Sequence, residues 1–98
     1  MADYKLSTHV AAEAEAVAAA EWYAKRSEVA AVRFVRELNS KVQKILTKPF
    51  LWPVFEKGTR RALMEDFPYS IIYRVKDNEV EIVAVMHQHR RPGYWVDR

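Results

Sequence analysis

From Asp3 to Ser7 the chain alternates, with Tyr4 and Leu6 apolar between polar neighbours. This period of two predicts a short, half-buried strand over residues 3–7. Ser7 and Thr8 end the strand, and either hydroxyl suits the cap of a helix. In the alanine-rich run that follows, Ala12, Ala16, Ala19 and Tyr23 recur at helical spacing, which predicts a first helix with a thin face. Alanine buries little surface but lets another backbone come close, so that face is expected to pack against a second helix. The second helix starts near Ser27 and carries Ala30, Phe34, Leu38, Val42 and Ile45 along one side, with Arg33, Arg36, Lys41 and Lys44 mostly elsewhere. Pro49 closes it. So few residues separate the two helices that they must double back as a helical hairpin.

Between Lys48 and Thr59, two prolines forbid regular structure while large apolar side chains, Trp52 among them, forbid free solvation, so this loop is expected to be packed down. The rest reads as strands over 61–66, 69–75 and 79–86, with Asp77-Asn78 as a two-residue hairpin turn. That turn sets Val75 opposite Val80, Tyr73 opposite Ile82, Ile71 opposite Ala84 and Tyr69 opposite Met86, an apolar face for the helices. The other face is mixed: Arg74 opposite Glu81, Ile72 opposite Val83, Ser70 opposite Val85, and His87 at the strand's end. The expected fold is α+β, in the order β-α-α-β-β-β, a helical hairpin on one face of a small, mainly antiparallel sheet with the last strand beside the first. Its core is Phe34, Leu38, Val42, Ile45, Ile71, Tyr73, Ile82 and Ala84.

Composition narrows this picture. Ninety-eight residues make one domain, 1–98, and 50% hydrophobic content supplies a core without metal or crosslinks. With no cysteine, disulfides, thiolate nucleophiles and cysteine zinc sites are excluded, and a reducing, cytoplasmic setting is the natural expectation. No apolar run approaches the ~20 residues of a membrane span, and no signal-peptide pattern opens the chain. A net charge of +3 suits an anionic partner, either nucleic acid or an acidic protein.

Three stretches, in order along the chain, resemble the RelE/ParE family of toxins from type II toxin–antitoxin systems. They are Glu21-Trp22-Tyr23, the segment from Arg60-Arg61 through Phe67-Pro68-Tyr69-Ser70-Ile71-Ile72-Tyr73-Arg74, and Val83-Ala84-Val85-Met86-His87-Gln88-His89-Arg90-Arg91-Pro92. The resemblance implies a toxin held inactive in a hetero-oligomer by a cognate antitoxin, an acidic and partly disordered chain wrapping the hairpin and the sheet edge. It also implies one of two activities: RelE-like cleavage of ribosome-bound mRNA, or ParE-like poisoning of DNA gyrase without the same catalytic residues.

Metal-independent RNA cleavage needs a base for the 2′-hydroxyl, cations for the phosphate and an acid for the leaving oxygen. On the RelE-like reading His87 is the base, Arg61 and Arg74 the cations, and Tyr94 or His89 the acid. Against this, Arg74 faces Glu81 as a cross-strand ion pair, and Glu65, Asp66 and Glu81 sit among the positive charges where a RelE-like chain shows further cations. Either Glu65 or Glu81 would serve as an acid–base residue only without support from spacing. Arg60, Arg61, His89, Arg90 and Arg91 are the candidate target-binding residues, the last three in a tail that interleaves cations with aromatics. The plain reading of these features is edge protection by Arg60 and Arg61, tail arginines facing water, Trp95 packed back on the sheet, and Trp22 and Trp52 as core or loop anchors. His87 and His89 lack a third ligand, so no metal or cofactor is expected. The sequence therefore favours a gyrase-poisoning toxin over a ribosome-dependent endoribonuclease, with a non-toxic protein-interaction module as a further alternative.

Overall fold

The computed structural model describes residues 4–98, so Asp3 of the expected first strand lies outside the described residues. Six main elements follow the expected order: β1 (Lys5–Thr8), α1 (Val10–Ala24), α2 (Glu28–Thr47), β2 (Arg60–Leu63), β3 (Tyr69–Lys76) and β4 (Glu79–His87). The sheet order is β1-β4-β3-β2, with β1 parallel to β4 and the other pairs antiparallel. The helical hairpin covers one face of this sheet, and the chain's last residues cover the other.

α1 is capped by neither Ser7 nor Thr8. Both belong to β1, and the cap is His9, whose Nδ1 accepts the Ala11 N–H at 3.0 Å. Ser27 caps α2 as expected, its hydroxyl accepting the Ala30 N–H. The apolar face of α2 buries Phe34 and Ile45 fully and leaves Leu38 and Val42 half-buried at its margin. Lys41 departs from expectation, since it is buried within the row of cationic positions. The loop after α2 is only partly packed down. Pro49 is buried and Trp52 and Phe55 are half-buried, but Phe50, Leu51 and Val54 are exposed. β2 is shorter than the expected 61–66, because Glu37 of α2 takes the backbone N–H groups of Glu65 and Asp66 away from the ladder.

The β3–β4 hairpin follows the expected register for Val75 with Val80, Arg74 with Glu81 and Tyr73 with Ile82, and then a β-bulge intervenes. Val83 is the extra residue: beyond it Ile72 pairs with Ala84, Ile71 with Val85, Ser70 with Met86 and Tyr69 with His87. The pairs expected for Tyr69, Ser70, Ile71 and Ile72 are therefore each off by one. A slip of one residue exchanges faces. Val85 joins Phe34, Phe67, Met64 and Ala19 under the helices, whereas Ala84 and Met86, expected there, lie with Ile72, Val83 and Trp95 on the other side. That second face is mixed as expected, carrying Ser70 and the Arg74–Glu81 pair, but its centre is buried, closed by Trp95 stacked on Phe55 with ring centroids 5.7 Å apart. Ile71, Tyr73, Val80, Ile82, Ile45 and Ala12 make the main core between sheet and helices.

Candidate functional site

β1 accompanies β4 only as far as Ile82. Past that point the outer edge of β4 would expose unpaired peptide groups, and two side chains occupy the vacant position. Glu15 of α1 accepts the Val85 N–H at 3.0 Å, and Arg98 donates to the bulged Val83 carbonyl at 3.1 Å. Glu15 and Arg98 also bind each other in a fork, and Arg90 adds a looser contact at 3.4 Å. Sequence reading passed over Glu15, one of several glutamates in an alanine-rich helix; only the unpaired edge of β4 distinguishes it.

Arg90 lies flat over the Tyr94 ring, 3.5 Å from its centroid, so this tail arginine is not simply solvated. The Tyr94 hydroxyl is buried without a hydrogen bond. Burial first, then the nearby Glu15 carboxylate, push its pKa up to about 12 against the opposing pull of Arg90 and Arg98. A phenol held so firmly in its neutral form is a weak proton donor near neutrality.

Glu15 and Arg90 stand at one end of a cleft of about 480 Å³ that continues along Ala18, Ala19, Trp22 and Tyr23 of α1 and is closed by Pro68, Tyr69, Val85 and His87. Trp22 is no core anchor. It is half exposed on the rim, with the Arg26 guanidinium 3.6 Å over its ring. His87 meets the Tyr69 ring edge-on, and its Nδ1 accepts the His89 N–H at 3.1 Å. That contact occupies one of the two ring nitrogens. His89 packs edge-on against His87, and among the described residues no third His, Cys, Asp or Glu completes a metal set with them.

The remaining candidates stand apart from this cleft. Arg74 is committed: Nε donates to Glu81 at 2.7 Å and Nη2 to the Arg98 main-chain oxygen at 2.5 Å. Arg60 and Arg61 lie on β2, at the far edge of the sheet from β1, and face opposite ways. Arg60 donates to the Trp52 carbonyl at 2.7 Å, whereas Arg61 sits over the Phe55 ring. Arg91 is exposed. His87, His89 and Arg90 are thus brought together, with Tyr94 behind Arg90, while Arg60, Arg61 and Arg74 are not.

Comparison with known proteins agrees with this architecture. A family model described as the ParE toxin of a type II toxin–antitoxin system, parDE, matches residues 6–92. A solved structure from the chromosomal ParDE TA system of P. aeruginosa superposes with a TM-score of 0.77 at 21% identity, covering 89% of this chain and 98% of that one. The two share a fold. No curated protein sequence matches the chain.

Proposed function

Since the chain belongs to the ParE toxin family of type II toxin–antitoxin systems, we propose that it arrests growth by poisoning DNA gyrase and that a cognate antitoxin neutralises it. The observation that carries the choice of target is the separation of His87 from Arg74. Arg74 faces Glu81 and Tyr69 faces His87, so the two sites lie five residues apart along β3, roughly 17 Å at ~3.3 Å per residue. A base and a phosphate-holding cation must reach the same nucleotide, which spans far less than that. The suppressed acidity of Tyr94 supports the same reading.

On this reading the protein acts by contact. Arg90 and Arg91 supply positive charge, with His89 beside them, next to the apolar cleft with Trp22 on its rim, a surface suited to a protein or protein–DNA target. Arg61, on the opposite edge, supplies a second basic contact, while Arg60 faces the other way and is held by the Trp52 carbonyl. The acidic antitoxin is attracted by the same net charge and opposes both contacts.

The deciding experiment runs a gyrase supercoiling assay beside a translation reaction in which mRNA 5′ ends are mapped. Inhibited supercoiling with intact message supports the proposal. Ribosome-dependent cuts with unimpaired supercoiling replace it with the endoribonuclease, and a folded protein lacking both activities replaces it with a plain interaction module.

A further inference from the structure

Three buried side-chain polar atoms lack a hydrogen-bond partner among the described residues: the Ser70 hydroxyl, the Tyr94 hydroxyl and the Trp95 indole N–H. Two of them belong to the segment after β4. The third, Ser70, is on the sheet face which that segment covers, paired with Met86, which packs with Trp95. A buried donor or acceptor left unmade costs more than a made bond contributes, and water would satisfy these groups once the segment lifts. The docked position of residues 89–98 is therefore held against an opposing penalty.

What holds it is side chains alone. The segment forms no helix or strand, and its bonded backbone N–H groups stay within it or reach only His87: His89 to the ring, Arg90 to the carbonyl, Val96 to Gly93 and Arg98 to Trp95. The fully buried Trp95 stacks on Phe55, and the polar ties converge on Arg98. Its guanidinium is gripped by Glu15 and bonds the Val83 carbonyl, and its main-chain oxygen accepts from Arg74. Towards β4 the segment bends at Pro92-Gly93, where Gly93 takes φ +95°, a value glycine adopts without strain.

We propose that residues 89–98 are a strap that lifts as one unit while sheet and helices stay folded, with Glu15 as its catch. β4 keeps its edge covered when the strap leaves, because Glu15 still accepts the Val85 N–H. Lifting carries Arg90 and Arg91 away from the Trp22 cleft and bares Ile72, Val83, Ala84 and Met86 beside Arg74. The motion itself depends on no target; only its effect on Arg90 and Arg91 as target contacts rests on the gyrase reading.

The test follows hydrogen exchange in the full, isotopically labelled chain, reading the Trp95 indole N–H beside the amides of Ile71 and Tyr73 in the interior strand β3, at urea concentrations below the unfolding transition. Trp95 exchange is expected to respond little to urea, whereas Ile71 and Tyr73 quicken with the slope of global unfolding. Glu15→Gln keeps an acceptor for Val85 but removes the charge that Arg98 grips, and should quicken Trp95 exchange by about tenfold or more. Ile45→Val loosens the core between helices and sheet, and should quicken Ile71 and Tyr73 severalfold while leaving Trp95 unchanged. If Trp95 shares the urea slope of Ile71, or quickens equally in Ile45→Val, the segment leaves only when the whole domain unfolds and the proposal is overturned. Parent-like Trp95 exchange in Glu15→Gln overturns it too. Should a variant fail to fold, the urea slopes of the parent chain decide alone.

Discussion

Glu15 and Arg98, 83 positions apart, are joined by two hydrogen bonds, Nη1 to Oε1 at 2.9 Å and Nη2 to Oε2 at 3.1 Å. Both side chains are largely sheltered, at 16% and 17% exposure, and each also holds one peptide group of the β4 edge. Removing Glu15 leaves the Val85 N–H unpaired and strips the guanidinium of its carboxylate, with only the Val83 carbonyl left to it. Glu15→Ala is therefore expected to cost about 2–3 kcal/mol in urea denaturation, the range for hydrogen bonds to charged groups. Arg98→Ala should cost less, and the double variant little more than Glu15→Ala, because the two act as one unit. Additive losses would show that the pair is not coupled.

Two tyrosines raised to the same pKa should respond differently to loss of the hydroxyl. Tyr73 donates to the Pro49 carbonyl at 2.6 Å, so Tyr73→Phe is expected to cost about 1 kcal/mol. The Tyr94 hydroxyl has no partner, so Tyr94→Phe should be neutral or mildly stabilising.

Alkaline stability follows from the same pair. Burial raises both phenols from 10 to about 12, so the unfolded chain releases these protons first. Their contribution is whole below pH 10 and is lost as the pH rises from 10 through 12. Urea midpoints should fall across that window, and the double phenylalanine variant should fall less steeply. A midpoint for the parent chain that holds steady to pH 12 contradicts the shifts.

Phe34 is fully buried and meets Tyr23, Phe67 and Tyr69 within 5.4 Å between ring centroids. Phe34→Ala is expected to cost about 3–5 kcal/mol, enough to unfold a marginal domain of this size. Leu38→Asp puts a carboxylate where the two helix-facing clusters adjoin and should abolish cooperative unfolding, whereas the exposed Val17→Ala should change stability by less than about 0.5 kcal/mol. A cooperative melt for Leu38→Asp would remove that residue from the core.

For function, His87→Ala should leave growth arrest within a few-fold of the parent, while Arg90→Glu with Arg91→Glu should weaken gyrase inhibition at least tenfold. A general base would behave otherwise, its loss lowering the rate by roughly 10²–10⁴. Dose–response curves for growth and supercoiling, taken with matched protein levels, separate these outcomes.

The element order, the Asp77-Asn78 turn and the Arg74–Glu81 pair were legible because each rests on local pattern: a period, a turn dipeptide, a count outward from the turn. The bulge left no such mark. Val83-Ala84-Val85-Met86 is apolar throughout, so no alternation betrays an extra residue. Glu15 was not legible and Lys41 not rightly placed for a related reason, since Glu13 and Glu15, or Lys41 and Lys44, look alike in sequence and differ only in what another segment brings to them. Trp22 shows the converse: a large apolar residue invites the core, but here it rims a cleft.

The bulge at Val83 leaves a further consequence. Without this residue the β3–β4 ladder would close without interruption, Ile82 opposite Tyr73 and Ala84 opposite Ile72, with every remaining side chain on its present face. The extra residue is superfluous to strand pairing; it provides an outward carbonyl for Arg98 and a buried side chain beside Trp95. A single-codon deletion, commonly ruinous within a buried strand, would here preserve the sheet and remove one tie of the tail while the Glu15–Arg98 fork and the Trp95–Phe55 stack remain, a loosening that limited proteolysis beyond residue 90 would register. Lineages that gain or lose that codon would differ by one tether of the C-terminal segment on an unchanged scaffold.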